Sequence, residues 1–590
     1  MRILLMKRWV EMRKGADFAA IAAKFNISPM LARIIRNREV VGDEAIDEFL
    51  NGGVRNMHDP ALLKDIDKAA LRIISAIEKH EKIRVIGDYD IDGICATYIL
   101  KRAFVLMGAD ADACLPDRIA DGYGLNKKLI DNAAEDGIDL IVTCDNGIAA
   151  AQEIAYAADL GIDVVVTDHH EVPYNAADDD KEYILPCAVA VVDPKQEDCK
   201  YPYKGICGGM VAYKLIVYIT SQREYSQYCR FITDKVMEEF LTLAAFATVG
   251  DVMDLLDENR IAVKRGLELM AHTENTGLRA LIEVCGLDKN HISAYHIGFI
   301  LGPCMNATGR LDSALRALEL LECSDYEKTV LMATELKDLN ESRKNMTVTY
   351  TQQALRLAEK MDKEQVLVIY LPDCHESLAG IVAGRVREKF YKPAIVLTDS
   401  AEGVKGSGRS IEAYDMFGEL SRVKDIFTKF GGHKMAAGMS LESDKTYELK
   451  RRLNENADLS EDELTEKQMI DMVLPISYAT IELAREIECL APFGVGNPKP
   501  NFAAKNVFIE DLKLVGKNKN VLRMKLKSEG SGMAGGSSYA EGIMFEDAEN
   551  NCERLKEIEG SSAVSILYQL DINSYMGRES VQLIIKDIKC

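Results

Sequence analysis

Three short apolar runs, each rich in β-branched residues and each followed by an alanine-rich helical pattern, constrain this chain more than any other feature. They are Ile83-Arg84-Val85-Ile86, Leu140-Ile141-Val142-Thr143 and Val164-Val165-Val166. Runs of this length and composition read as buried parallel strands of an α/β sheet. Each run ends in acids or histidines: Asp88, Asp90 and Asp92 after the first, Asp145 after the second, and Asp168, His169 and His170 after the third. In such sheets ligands gather outside the carboxyl ends of the strands, where loops from different strands converge. One acidic and histidine-bearing crevice is therefore expected.

These residue types suit phosphoester hydrolysis. Two divalent ions about 3.5–4 Å apart activate water and steady the leaving oxygen. A carboxylate can bridge two ions, and imidazole adds a neutral donor that favours a transition metal. A mixed Asp/His set therefore points to Mn²⁺, with Mg²⁺ as the alternative. The competing reading of Asp88-Tyr89-Asp90-Ile91-Asp92-Gly93 is a calcium loop. That loop needs a bidentate Glu at its twelfth position, where this chain has Ile99, and a helix rather than a strand before it.

With these residues in view, the chain resembles the DHH phosphoesterases, and among them the RecJ-type single-stranded-DNA exonucleases. The resemblance is carried by Asp88-Tyr89-Asp90-Ile91-Asp92-Gly93, Asp145-Asn146-Gly147 and Asp168-His169-His170. It continues through Asp121-Gly122-Tyr123-Gly124-Leu125, Asp193-Pro194-Lys195-Gln196 and Gly250-Asp251-Val252. It implies metal ligation by Asp88, Asp90, Asp145, His169 and Asp251, with His170 facing the scissile phosphate. Asp92 and Asp168 are expected to orient their neighbours, as carboxylates behind a metal site do. Pro303-Cys304-Met305-Asn306-Ala307-Thr308-Gly309-Arg310-Leu311 resembles the stretch whose arginine grips phosphate. Gly406-Ser407-Gly408-Arg409-Ser410 and Gly431-Gly432-His433 resemble the accompanying substrate-binding module. Small residues beside Arg or His let backbone amides and a forked guanidinium approach phosphate together. The resemblance thus implies catalytic roles for His170, Asp145 and Arg310, and substrate binding by Tyr123, Asn306, Arg310, Ser407, Arg409 and His433. The family usually carries Arg where this chain has Cys304, which implies an altered DNA contact there.

Composition adds exclusions. An apolar content of 47% excludes wholesale disorder, and no run approaches the ~20 apolar residues of a membrane helix. Fourteen cysteines include no Cys-x-x-Cys pair, so neither a zinc ribbon nor a redox dithiol is suggested, and a cytoplasmic protein with reduced thiols is expected. The net charge of −22 opposes long-range attraction of DNA. Ion binding would offset the clustered carboxylates. A local stripe of Lys513, Lys517, Lys519, Arg523, Lys525 and Lys527 supplies positive charge, its last three residues alternating along one strand face.

The organisation expected is α/β: a helical lead-in over 1–80, a DHH parallel-sheet domain over 81–323, a long connecting helix over 324–362, a smaller α/β substrate-binding domain over 363–455, and a β-barrel over 466–590. The connecting helix rests on a Gly- and Pro-free stretch. The barrel rests on short alternating segments such as Val581-Gln582-Leu583-Ile584-Ile585, consistent with the OB-fold that RecJ-type proteins carry at this position. Such barrels bind single strands through basic grooves and stacking aromatics. Tyr539, Phe545, Tyr568 and Tyr575 are the candidates, and 528–538 reads as a mobile Gly/Ser loop.

The function implied by the resemblance is a single-stranded-DNA exonuclease of 5′→3′ polarity that releases mononucleotides in recombination and repair. Single-stranded-DNA-binding protein and a helicase are the implied partners of a monomer. The alternatives are a DHH phosphodiesterase of short oligonucleotides or cyclic dinucleotides, and a non-catalytic replication scaffold of the same fold.

Overall fold

The computed structural model describes residues 7–118, 121–177, 180–401, 403–516, 519–528, 538–575 and 577–590. The chain divides into two compact units, one holding His58–Asp251 and Gly266–Glu466, the other Trp9–Met57, Val252–Arg265 and Lys467–Cys590.

In the first unit, strands β1 (Lys82–Ile86), β2 (Asp110–Cys114), β3 (Leu140–Cys144), β4 (Asp163–Thr167) and β5 (Ala190–Val192) form a sheet in the order β2-β1-β3-β4-β5. Every neighbouring pair is parallel. β1, β3 and β4 are almost wholly buried, which is why they read as continuous apolar runs rather than as alternation. Arg84 is the exception within β1, and Asp112 and Asp136 meet its charge at 2.6 and 2.9 Å. The strand order reverses about β1, so the ligand crevice of this topology lies at the carboxyl ends of β1 and β3.

Helix α1 (Ile91–Leu106) crosses from β1 to β2 and is buried around most of its circumference, between the sheet and helices α2 (Gly208–Ser221) and α3 (Asp234–Gly250). A helix apolar on all sides belongs in such a position. Helix α4 (Gly302–Leu311) leads toward α5 (Tyr326–Ala358), the long helix, about 50 Å at 1.5 Å per residue. Asp325 caps α5 by accepting from the Lys328 amide at 3.2 Å.

A second sheet follows. Strands β6 (Leu367–Tyr370), β7 (Ala394–Ser400), β8 (Gly403–Arg409), β9 (Phe427–His433) and β10 (Ala436–Leu441) stand in the order β9-β10-β8-β7-β6. Only β6 and β7 are parallel, and α6 (Glu376–Phe390) joins them. Alternation places Leu367, Ile369 and Val396 with Ala358 and Val382 on the α5/α6 side. Val368, Ile395 and Leu397 pack on the opposite side.

In the second unit, β11 (Phe502–Val515), β12 (Val521–Ser528) and β13 (Ser538–Met544) are antiparallel, β13 pairs in parallel with β15 (Arg578–Lys589), and β15 pairs with β14 (Ala563–Tyr575). Pairing of β14 with β11 closes a five-stranded barrel of OB topology. Phe502, Leu522, Met524, Ile566 and Leu583 fill it.

Of the helices over 1–80 expected to lead into the parallel sheet, Ile66–Lys79 does so, packing on β5 and α2, whereas those within 9–57 belong instead to this barrel's unit. Leu31, Ile34, Ile35, Ile46 and Phe49 share its core. The buried Arg38 guanidinium donates to both carboxylate oxygens of Asp471, at 2.7 and 3.3 Å, and to the Pro498 carbonyl. Helical periodicity shows that Pro29–Asn37 has an apolar face; it does not say which core receives that face. Tyr568, a candidate for base stacking, is buried and donates to the Leu474 carbonyl at 2.8 Å. Residues 529–537 of the Gly/Ser stretch, Lys517 and the side chain of Tyr575 lie outside the described residues.

Candidate metal centre and phosphate-binding face

The acid loops of β1, β3 and β4 converge as the strand order requires. Asp90 caps α1, its Oδ1 accepting from the Asp92 and Gly93 amides at 2.9 and 3.2 Å. Asp145 follows β3 with φ at +60°, a left-handed conformation that a non-glycine residue keeps only when its surroundings hold it there. Asn146 supplies part of that hold by donating to the Ile86 and Cys144 carbonyls at 3.1 and 2.9 Å. Gly147 continues at φ +116°, and a Cβ there would stand 2.5 Å from Thr143 Oγ1. Asp-Asn-Gly is therefore a brace between the ends of β1 and β3.

His169 Nε2 lies 3.0 Å from Asp145 Oδ1, 3.5 Å from Asp92 Oδ2 and 3.7 Å from Asp251 Oδ2. Asp251 arrives from the end of α3, its amide donating to the Ala247 carbonyl. Asp88, Asp90 and Asp145 form a second group, with one ligand atom from each within 4.8 Å of the others. All the expected ligand positions are thus brought together.

Burial, reinforced by neighbouring carboxylates, pushes Asp88 and Asp145 well above the usual carboxylate range. The same causes push Asp251 up to about 8. Burial holds His169 down to about 4, leaving the neutral imidazole that binds cations. Asp88 Oδ1 is buried without a hydrogen-bond partner, as is costly for an ordinary carboxylate. A cluster this crowded and this dry fits divalent cations.

Asp92 and Asp168 differ from the others because protein groups already engage both of their oxygens. Asp92 sits at the start of α2, its two oxygens accepting from the Gly208 and Gly209 amides at 2.7 Å each. That placement favours an anion, but burial outweighs it and pushes Asp92 above the usual carboxylate range. Asp168 accepts from the Ile148, His169 and His170 amides and from His170 Nδ1, the last at 2.7 Å. Burial opposes the His170 charge, but the bond to Asp168 and the surrounding carboxylates raise it to about 9. The Tyr123 hydroxyl donates to the Asp145 carbonyl at 2.9 Å and lies 3.2 Å from His170 Nε2.

Across from the acids stand guanidinium groups. Arg310, on α4, donates to the Ser377 carbonyl at 2.8 Å at the start of α6. Burial, then the nearby Arg118 and Arg343, lowers it to about 10. Arg409, at the end of β8, is lowered by burial and by Arg118 and Arg387. Cations that destabilise one another in this way suit an anionic ligand. A cavity of about 220 Å³ is lined by Arg118, Ser377, Ser407 and the Lys405–Glu376 pair, whose charges meet at 2.7 Å.

Strand register explains this face. Arg409 and His433 both pair with Ala436, and Ser407 and Gly431 both pair with Gly438. Directly paired residues share a face, so two basic side chains flank a floor of small residues. Asn306 Oδ1 accepts from the Ile91 amide at 2.7 Å, tying α4 to the acid loop. Cys304 is buried against the Ile300 carbonyl, Asn340 Nδ2 and Cys285 Sγ.

The motifs of the sequence do not include Gly208, Gly209 or Arg118. Asp193 was noted in its motif without a role; it is buried with Oδ2 unpartnered and, through burial and Asp168, is pushed up to about 8. In the second unit Arg523, Lys525 and Lys527 alternate on one face of β12 as expected, with Arg523 paired to Glu541 at 2.6 Å and Lys525 over the Tyr539 ring at 4.5 Å.

Comparison with known proteins agrees with this architecture. Residues 82–248 match the DHH family N-terminal domain, 363–458 the DHHA1 domain and 470–587 the RecJ OB domain. The single-stranded-DNA-specific exonuclease RecJ of Bacillus subtilis is 35% identical over 98% of this chain and 70% of its own length. That of Escherichia coli is 32% identical over 99% of this chain and 100% of its own length. Among solved structures, RecJ from Thermus thermophilus in complex with Mn²⁺ superposes with a TM-score of 0.80 at 24% identity, covering 99% of this chain and 79% of that one. An exonuclease RecJ bound to manganese gives 0.56 at 29% identity, covering 67% and 94%. Among the described residues, no single helix is long and apolar enough to cross a membrane.

Proposed function

The chain belongs to the RecJ family of single-stranded-DNA-specific exonucleases, and from that premise we propose how its own residues carry the reaction. It is a nuclease that hydrolyses single-stranded DNA in recombination and repair. Degradation runs 5′→3′ and releases mononucleotides. The observation that carries the mechanism is the meeting of buried carboxylates and a neutral imidazole with partly buried guanidinium groups.

Two ions, Mn²⁺ by preference and Mg²⁺ as the alternative, fit the acids: Asp88, Asp90 and Asp145 would hold one, and Asp145, His169 and Asp251 the other. Bound there, they supply an activated water and offset charge on the leaving oxygen. Asp92, fixed by the α2 amides, lies 3.5 Å from His169 Nε2 and adds negative charge behind the cluster. Asp168 holds His170 by Nδ1, which leaves Nε2 of a cationic ring to meet a non-bridging phosphate oxygen beside the Tyr123 hydroxyl. Arg310 balances charge on the same phosphate. Arg118, Ser407, Arg409 and His433 hold the strand end, and Asn306 keeps α4 in register with the acid loop. The barrel binds single-stranded DNA through its basic face. Single-stranded-DNA-binding protein and a helicase are the partners expected of a cytoplasmic monomer.

The test is Mn²⁺-dependent degradation of one single-stranded oligonucleotide labelled separately at each end. Immediate release of the 5′ label as mononucleotide, absent in Asp145→Ala, is expected. Turnover of dinucleotides with no turnover of the long strand would replace this reading with a short-substrate phosphodiesterase.

A further inference from the structure

Ahead of α4 a helix begins at Ala294, its start fixed by the Ser293 amide donating to His296 Nδ1 at 3.0 Å. Ile297 and Leu301 turn into the interior. Over Ile297–Leu301 the helix widens into a π turn before α4, a feature frequent at functional sites. Tyr295 and Phe299, four residues apart, stand on the outer face. Their centroids are 4.9 Å apart with planes 28° from parallel, and the residues are 62% and 65% exposed. A solvent-facing helical stripe ordinarily carries polar residues; here it carries two stacked rings.

The stack is anchored beside the acid cluster. A Cβ on Gly302 would meet Ile91 Cδ1 at 3.2 Å, and one on Gly298 would meet Val249 Cγ1 at 3.9 Å. Ile91 lies between Asp90 and Asp92, and Val249 lies two residues before Asp251. From Phe299 to Asn306 is about two helical turns, roughly 10 Å, the rise of about three stacked nucleotides.

We propose that Tyr295 and Phe299 form a platform on which bases of the single strand stack a few nucleotides from the scissile phosphate. The inference rests on the exonuclease reading above. Sequence-tolerant single-strand binding combines cations that follow the phosphates with aromatic faces that take the bases. The arginine face supplies the first element near the acids. Of the other aromatics there, Tyr89 is covered by Arg118 at 4.7 Å, and the Tyr123 hydroxyl is engaged by Asp145. Duplex bases are already stacked and paired, so the platform adds selectivity for single strands.

The experiment compares KM and kcat of the full chain in Mn²⁺ on a long single strand and on a dinucleotide. For Tyr295→Ala and Phe299→Ala, KM on the long strand should rise about 5- to 150-fold each, with dinucleotide turnover unchanged and Phe299→Trp restoring affinity. In wild-type protein, 2-aminopurine at one of the third to fifth nucleotides should be quenched on binding, and the quenching should be lost in the double variant. Unchanged long-strand KM overturns the proposal, as does equal loss on both substrates or absence of quenching at every position. A wild type that degrades no single strand refutes the exonuclease reading and this inference with it.

Discussion

Replacing Gly208 by alanine probes the joint between α2 and the acids. The new Cβ would stand 2.7 Å from Asp145 Cβ and 3.0 Å from Asp145 Cα, whereas carbon atoms rest at about 3.5–4.0 Å. Either α2 or Asp145 must therefore retreat by about 1 Å. Retreat of α2 draws two amides away from Asp92, each now at 2.7 Å. Retreat of Asp145 displaces the group shared by both ligand sets. Overpacking of this kind costs about 1–3 kcal/mol, and an ångström of misplacement at a reacting centre costs about 100-fold in rate. The expected result is a fall in kcat of about 100-fold on single-stranded DNA and a lower melting temperature in EDTA. Gly384→Ala is the control. It lies inside α6, where an added Cβ meets nothing within 4 Å, so relief of glycine's backbone entropy should stabilise by about 0.5–1 kcal/mol with activity unchanged. Wild-type kcat in Gly208→Ala would refute the reasoning.

Asp471→Ala leaves Arg38 buried without its carboxylate and should destabilise the second unit by about 3–5 kcal/mol; hydrogen exchange should show residues 9–57 and 467–590 losing protection together. Mn²⁺ at about 100 times its Kd should stabilise the protein against unfolding by about 2.7 kcal/mol for each of the two ions, and calorimetry of Asp88→Asn should show that increment reduced. Arg118→Ala should weaken DNA binding by about 1.5–3 kcal/mol, and its logarithmic salt slope should be shallower by about 0.7, read by fluorescence anisotropy across a salt series.

The acidic crevice was legible because parallel strands are both apolar and short, and because their carboxyl ends collect ligands. Asp88, Asp145 and His169 therefore announced themselves at the ends of runs that had to be strands. The strand-paired face of Arg409 and His433 was legible from its glycines, though only register shows that both flank Ala436. Other parts carry no local sign. A Gly-Gly pair at a helix start looks the same whether or not a carboxylate lies against its amides, and Arg118 joins Arg310 and Arg409 only through long-range folding. The Pro29–Asn37 pattern demanded a core without naming one. Tyr568 illustrates the opposite case: an aromatic on a barrel strand can face either side, and here β14 turns it inward.

Anomalous diffraction from crystals soaked in Mn²⁺ addresses the proposed metal centre most directly. Two peaks about 3.5–4 Å apart are expected, both touching Asp145, one also touching Asp88 and Asp90 and the other His169 and Asp251. A cluster without Mn²⁺ in a crystal whose protein degrades single-stranded DNA under the same conditions would contradict the account.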